Sequence, residues 1–328
     1  MHPLLKIRTV CAFVALDKQR PQDWAATIEK AAQFGRAAQT AYEAAGFEVQ
    51  TVRVATQPFE EWLDVSDAAA ALDAFQRVDA ALERSGVGLF SAGPARTAAG
   101  AAVAAEAVKL GPRISCSAAI AGPFDRDGCR AAAAAVLSIA NATQGEGCFQ
   151  FCATANLPPG APFFPAAYGD GGSPSFAVGC ETSAILADAL PKANGDLAAA
   201  STGLTAEFEA QLAPVEAVAK DLERAHDLEY RGIDASIAPL GTAPPLSDSF
   251  ASLGLGEFGE SGTLAVSSLV TGSVKAIKNV RLTGYTGLML PPLEDAGLAK
   301  RAGLYSIHDL LMRAAASEPL GGDEARSR

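Results

Sequence analysis

Residues 6–16 read KIRTVCAFVAL, a mostly apolar run of strand length. Such a run suits a β-strand covered on both faces, the pattern of parallel sheets with helices on either side. A helix is expected next, from Pro21 to Ala45, with Pro at its entrance and Gly46 just past its end. A second strand follows over Glu48–Val54, where Val49, Thr51 and Arg53 alternate with Gln50, Val52 and Val54. The alternation is imperfect, so one face of this strand is expected to be partly wet. Working outward, the unit repeats: a helix from Ser66, read as its N-cap, to Arg84 before Gly86, then a strand at Val87–Phe90. A helix at Ala95–Leu110 precedes a strand at Arg113–Ala119, and a helix at Asp127–Ala142 precedes one at Cys148–Thr154. Alternation of this kind requires crossover connections and a mainly parallel sheet, doubly wound or closed into a barrel.

The stretch NLPPGAPFFPAAYGDGGSPSFAVGCE at residues 156–181 breaks that rhythm. Long loops of this composition are uncommon in compact domains unless they bind or cover something, so it is a candidate site wall. Its end, Ser175–Cys180, reads as a strand. Residues 184–230 then read as helix interrupted at 191–196 and near 201–205, and Gly232–Ile237 as a strand. A helix at Thr263–Lys278 and a strand at Asn279–Thr283 lead into GYTG, with helix again from Glu294 to Ala316. One domain over residues 1–316 with a frayed polar tail at 317–328 is the expected organisation.

Composition narrows the function. A net charge of −11 argues against a nucleic-acid partner, which needs a basic footprint. Charged residues at 19% and hydrophobic residues at 49% exclude a disordered chain without reaching a membrane protein. The N-terminus lacks the order of a signal peptide, so a cytoplasmic protein with neither membrane nor nucleic-acid partner is expected. Six cysteines lack the density of a disulfide scaffold, and the three histidines stand apart from them, so zinc spacing is absent.

The segments KIRTV (6–10), EVQTVRVATQPFEEWL (48–63), PFFPAAY (162–168), GIDASIAP (232–239), GEFGESGTLA (256–265) and GYTGLMLPPLEDAGLAKRA (284–302) occur in this order along nearly the whole chain. In them the chain resembles the domain of unknown function 711 family, also called uncharacterised protein family 0210. The resemblance implies an α/β fold similar to the pyruvate formate-lyase and ribonucleotide reductase barrels, two half-sheets closing around a central loop with helices outside. It implies no established activity. Family members commonly carry a His where this chain has Gly169 and Asp170, and continue after the DLL helix with a Cys-Gly-Thr-Gly-Leu-Asp type segment. A C-terminally shortened barrel is therefore the expectation.

Carboxylates form the main candidate set. Glu181 ends a strand, Asp234 lies in GIDAS on another, and Glu260 stands in the GESG turn at a helix entrance. Side chains at the C-terminal ends of parallel strands converge on the ligand crevice, where a partly desolvated carboxylate can serve as a general base. Oxygen ligands from Glu181 and Asp234 would also suit a hard cation, Mg²⁺ or Ca²⁺. Glu294 and Asp295 read equally as ligand-facing acids or as helix caps. Tyr168 reads either as a donor to a developing oxyanion or as packing against Phe163 and Phe164, with Asp170 beside it. The turn Gly259, Glu260, Ser261, Gly262, Thr263 would present N–H groups to an anionic substrate. Arg281, Gly284 and Tyr285 in VRLTGYTG resemble the loop of glycyl radical enzymes; the alternative is a strand end and a turn whose two glycines accept positive φ. Cys148 and Cys152, on one strand face, read as a thiol pair or as small hydrophobes, as do Cys116 and Cys180. The leading reading is an enzyme, a lyase in one form, acting on a small carbonyl or carboxylate substrate by carboxylate-mediated proton transfer. The alternatives are a non-catalytic metabolite-binding or scaffold protein, and a glycyl radical enzyme. A homo-oligomer, commonly a symmetric dimer, is expected.

Overall fold

The alternation of the first half becomes β1 (Lys6–Val14), α1 (Trp24–Ala44), β2 (Val52–Thr56), α2 (Ala68–Ser85), β3 (Phe90–Ala95), α3 (Ala98–Val108), β4 (Ile114–Ile120), α4 (Arg126–Thr143) and β5 (Phe151–Ala155). The computed structural model describes residues 4–122, 124–239, 244–292, 294–306 and 308–309. These strands are all parallel, as helical crossovers require. Two more, β6 (Ser175–Glu181) and β7 (Glu229–Asp234), extend the sheet past β1 to the order β5-β4-β3-β2-β1-β6-β7. β6 runs antiparallel to β1 and β7 parallel to β6. The seven strands curl into a half-barrel with helices around it.

Side-chain alternation along the strands divides the interior in two. The larger apolar core fills the space between the sheet and its helices, with Phe34 of α1 against Phe176 of β6 and Tyr230 of β7 against the same ring. The opposite, concave face carries a small cluster of Cys11, Phe13, Ala55 and Ala177, packed against Ala167 and Phe164. The last two belong to the long segment between β5 and β6. That segment is laid into the concavity rather than over it: Ser91 Oγ donates to Pro165 O at 3.1 Å, and Gly169 N to Thr56 O at 2.9 Å. Tyr168 Oη closes the segment on itself by donating to Leu157 O at 2.7 Å.

Several expected boundaries move for identifiable reasons. The cap of α2 is Asp67, whose carboxylate accepts from Ala70 N at 3.0 Å, because Ser66 is bonded to Asp64 instead. Residues Glu146–Gln150 form a 3₁₀ turn, so Cys148 is not on the strand with Cys152 and the proposed thiol pair does not exist. All six cysteines are free, and burial pushes the thiols of Cys11 and Cys152 up to about 12. A break at 191–196 is present between α5 (Ser183–Ala189) and α6 (Leu197–His226), but α6 runs unbroken through 201–205. Its hydroxyls are satisfied in place: Thr205 Oγ1 donates to Ser201 O at 3.0 Å and to Ser273 O of α8 (Gly262–Lys275) at 3.0 Å. The expected strand at Asn279–Thr283 is reduced to a single bridge, Leu282 to Ile233. Short helices α7 (Leu246–Ala251) and α9 (Ala296–Lys300) follow in that region. The helix expected to 316 is broken into α9 and a 3₁₀ turn at Ala302–Leu304, after which Tyr305 is extended; residues 310–316 and the tail at 317–328 lie outside the described residues.

α1 lies so close to β2 that a Cβ built on Gly35 runs into Val52 Cγ1. Val52 is β-branched and holds one preferred rotamer. Gly35→Ala gains roughly 1 kcal/mol of helix propensity. Overpacking costs about 1–3 kcal/mol. The variant is therefore expected to be less stable than the parent by up to about 2 kcal/mol, measured by urea denaturation; equal or higher stability would show that α1 can lift away from β2.

Candidate functional site

The antiparallel seam between β1 and β6 sets which residues meet. Thr9 is paired with Gly179, and Gly179 with Asp234, so the three form one row across β1, β6 and β7. Arg53 of β2 is paired with Cys11, two residues on from Thr9 along the same face of β1. Glu181 lies two residues beyond Gly179 on β6. The row is open at its centre because Gly179 has no side chain: a Cβ there would sit 3.0 Å from Thr9 Cγ2 and 3.7 Å from Pro162 Cγ. Arg53, Thr9, Gly179, Glu181, Asp234 and Phe164 line one cavity of about 570 Å³. That volume is in the range of metabolite sites, about 300–1,000 Å³. At the other edge of the sheet, by the caps of α3 and α4, a cavity of about 160 Å³ is too small to count as one.

Asp234 is buried and heavily bonded. Its Oδ1 accepts from Ser236 N at 3.0 Å, from Ser236 Oγ and from Thr286 N at 3.1 Å; Oδ2 accepts from Tyr285 N at 3.1 Å. Gly284 makes this possible. It has φ +66°, and a Cβ on it would collide with Asp234 Oδ2. The turn of positive φ anticipated from the sequence is therefore present at Gly284, but Gly287 does not share it; Thr286, at φ 41°, does. Burial raises the Asp234 carboxyl above the ordinary range, against the opposing pull of these four hydrogen bonds. Glu181 is freer. It is 9% exposed, and its hydrogen bond among the described residues comes from Gln50 Nε2 at 2.9 Å to Oε2.

Opposite them, Arg53 is 7% exposed and lies over the Phe164 ring at 4.6 Å. Its Nε donates to Thr51 Oγ1 at 3.0 Å, and Thr51 in turn donates to Arg8 O at 2.7 Å. Burial, with Arg8 nearby, lowers Arg53 to about 10, which leaves it a cation at neutral pH.

Chain and geometry can now be compared with known proteins. Residues 1–317 match the family described as Uncharacterised ACR (DUF711). The chain belongs to that family. A relative within it, a UPF0210 protein from Pyrobaculum islandicum, is 28% identical over 280 residues, covering 78% of this chain. The chain spans about three fifths, 61%, of that relative's length.

Of the residues expected at a DUF711 site, the cavity brings together Glu181, Asp234 and Glu294, with Gly284 and Tyr285 behind Asp234. Others have structural work elsewhere. Glu260 accepts from Glu257 N at 2.8 Å and closes its own turn, while Thr263 Oγ1 accepts from Gly259 N at 2.8 Å. Neither they nor Ser261 and Gly262 line the cavity. Asp295 caps α9 through Leu298 N at 2.8 Å and also accepts from Leu246 N at 2.7 Å, so its capping role holds. Asp170 pairs with Arg231 at 2.8 Å, Tyr168 serves the loop, and Arg281 donates to Tyr230 O. Cys180 lines the cavity, yet burial raises its thiol and leaves it a poor nucleophile. Among the described residues no three His, Cys, Asp or Glu side chains gather as a metal site, and no helix is long and apolar enough to cross a membrane. The residues missed were Thr9 and Arg53. An arginine inside the apolar run VRVAT, on a strand expected to have one partly wet face, was the available signal.

The raised Asp234 pKa has a pH signature. Between the unfolded value near 4 and the raised folded value, the native state binds more protons than the unfolded one. Stability due to this group is thus full below about pH 4 and falls as pH rises through the folded pKa. Denaturation of wild type and Asp234→Asn from pH 4 to 7 should show the wild type losing stability relative to the variant as pH rises. A difference independent of pH would show that the four hydrogen bonds balance burial, and a wild type that gains stability as pH rises would show that they outweigh it.

Proposed function

We propose that this DUF711 protein is an enzyme that moves a proton on a small carbonyl or carboxylate metabolite bound in the 570 Å³ cavity. The observation that carries the reading is one cavity lined by a freer acid and a fixed one: Glu181, whose one hydrogen bond among the described residues comes from Gln50, and Asp234, locked by backbone amides. Glu181 is the base that takes a proton from carbon beside a carbonyl, and Asp234, through Oδ2, serves the carbonyl oxygen. The resulting enolate is also what carbon–carbon cleavage leaves behind, so a lyase reaction suits the same pair. A hard cation, if one is used, would take oxygen from Glu181 more readily than from Asp234, whose Oδ1 already accepts three bonds. Five parallel strands joined to two of opposite sense, with a loop in the concave face, support likeness to part of a formate-lyase-type barrel.

A second reading, a metabolite-binding protein without chemistry, draws support from the same saturation of Asp234 Oδ1, which makes this acid a post for the turn at 283–286. The two separate in one experiment. Straight-chain 2-oxo carboxylates of three to six carbons are incubated with the protein in D₂O, and loss of the C3 proton signals is followed by NMR. Exchange above the blank is expected for the wild type, falling roughly 100-fold or more in Glu181→Gln. Equal exchange in the variant removes Glu181 as the base; binding without exchange in the wild type favours the non-catalytic reading.

A further inference from the structure

We infer that the Arg53 guanidinium and the Thr9 hydroxyl form a subsite for the carboxylate of a small monoanionic ligand. The inference rests on the small-molecule reading of the same cavity and adds the class of ligand.

Two independent observations point into the cavity. Arg53 is a buried cation that makes no ion pair with a carboxylate among the described residues; its one internal hydrogen bond uses Nε, which leaves both terminal nitrogens for a partner. Burying an unpaired ion is costly. The neighbour in register, Cys11, cannot compensate it, because full burial keeps that thiol protonated. Thr9, 2% exposed, has its hydroxyl buried without a hydrogen-bond partner among the described residues. A buried orphan hydroxyl and a buried unpaired guanidinium on adjacent strands of one face lose their cost together if an anion sits between them. Phe164 sets its ring under the guanidinium at 4.6 Å.

The lining also selects the anion. The cavity holds a single buried cation together with the acids Glu181 and Glu294, a balance that disfavours a dianion. Arg8, the other cation there, is tied to Gln50 by a bond of 2.8 Å. A planar guanidinium with two terminal nitrogens matches a carboxylate in bidentate fashion. The apolar part of the wall, with Pro162, Phe163, Leu89 and Met289, suits a short apolar body.

The test is calorimetric titration of the full chain at pH 7 with straight-chain C3–C6 carboxylates and their 2-oxo forms, the matched amides, and inorganic phosphate. The wild type should bind at least one carboxylate, and its amide at least 10-fold more weakly. Arg53→Met should weaken that carboxylate 30-fold or more while leaving the ligand-free melting temperature unchanged or higher, since it removes an uncompensated charge; Arg53→Lys should recover part of the loss. Thr9→Val should weaken binding about 5-fold. Unchanged affinity in Arg53→Met, equal binding of acid and amide, tighter binding of phosphate, or no binding of any carboxylate by folded wild type each overturns the subsite. Carboxylate binding that persists in Glu181→Gln while proton exchange is absent from the wild type sinks the catalytic reading and leaves the subsite standing.

Discussion

The antiparallel pairing of β1 with β6 is the constraint on which the rest of this molecule depends. In an all-parallel sheet every strand sends its C-terminal end to the same edge, and ligands gather there. Reversal at one seam brings the C-terminal ends of β6 and β7 to the edge where β1 to β5 begin. The cavity is thus built from acids at strand ends, Glu181 and Asp234, and from polar groups near strand starts, Thr9 and Arg53. The register irregularity between Ile7 and Thr9 falls at that seam. Bulges are a common way for a strand to re-aim a side chain beside a site.

Filling the concave face is the second requirement, and the segment between β5 and β6 meets it. A curled sheet with small residues inside, Ala55, Ala177 and Cys11, leaves room that water or chain must occupy. Ala161, Ala166 and Ala167 are fully buried there, Pro165 O accepts from the Ser91 hydroxyl of β3, and Gly169 N donates to Thr56 O at the end of β2. A loop so placed satisfies its polar backbone against strand termini, which lets it lie inside a fold where loops normally stay on the surface. Its Phe164 then becomes part of the cavity wall.

The sequence made the layers readable and left the strand sense unreadable. Helix caps at Thr97 and Asp125 and stops at Gly46 and Gly86 are local chemistry, so the helices of the first half fall where composition places them. Strand direction is different: SFAVGCE has the same apolar pattern whichever way it runs, and only the route of the preceding loop decides. Glu181 and Asp234 were legible because an acid within an apolar run needs a reason. Tyr168, Glu260 and Asp295 were acids or donors near Gly-rich turns, where a structural bond to the turn itself is the commoner use. Thr9 was invisible, since a threonine in a strand is ordinary until its hydroxyl is seen to lack a partner.

Asp234 and Arg53 show how stability and function divide within one cavity. Both are ionisable side chains removed from water, yet they are treated oppositely. The carboxylate receives three backbone amides and a hydroxyl, and Gly284 is required for two of those amides to reach it. It therefore holds the turn at 283–286 against β7, whatever else it does. The guanidinium, among the described residues, donates one hydrogen bond, to Thr51, and meets an aromatic face. A protein selected for stability alone would replace it with an apolar side chain of similar length, because burying an unpaired cation is unfavourable. That an arginine occupies this position, on a strand otherwise composed of Val, Ala and Thr, is best explained by something the folded chain alone does not contain: an anion that completes it.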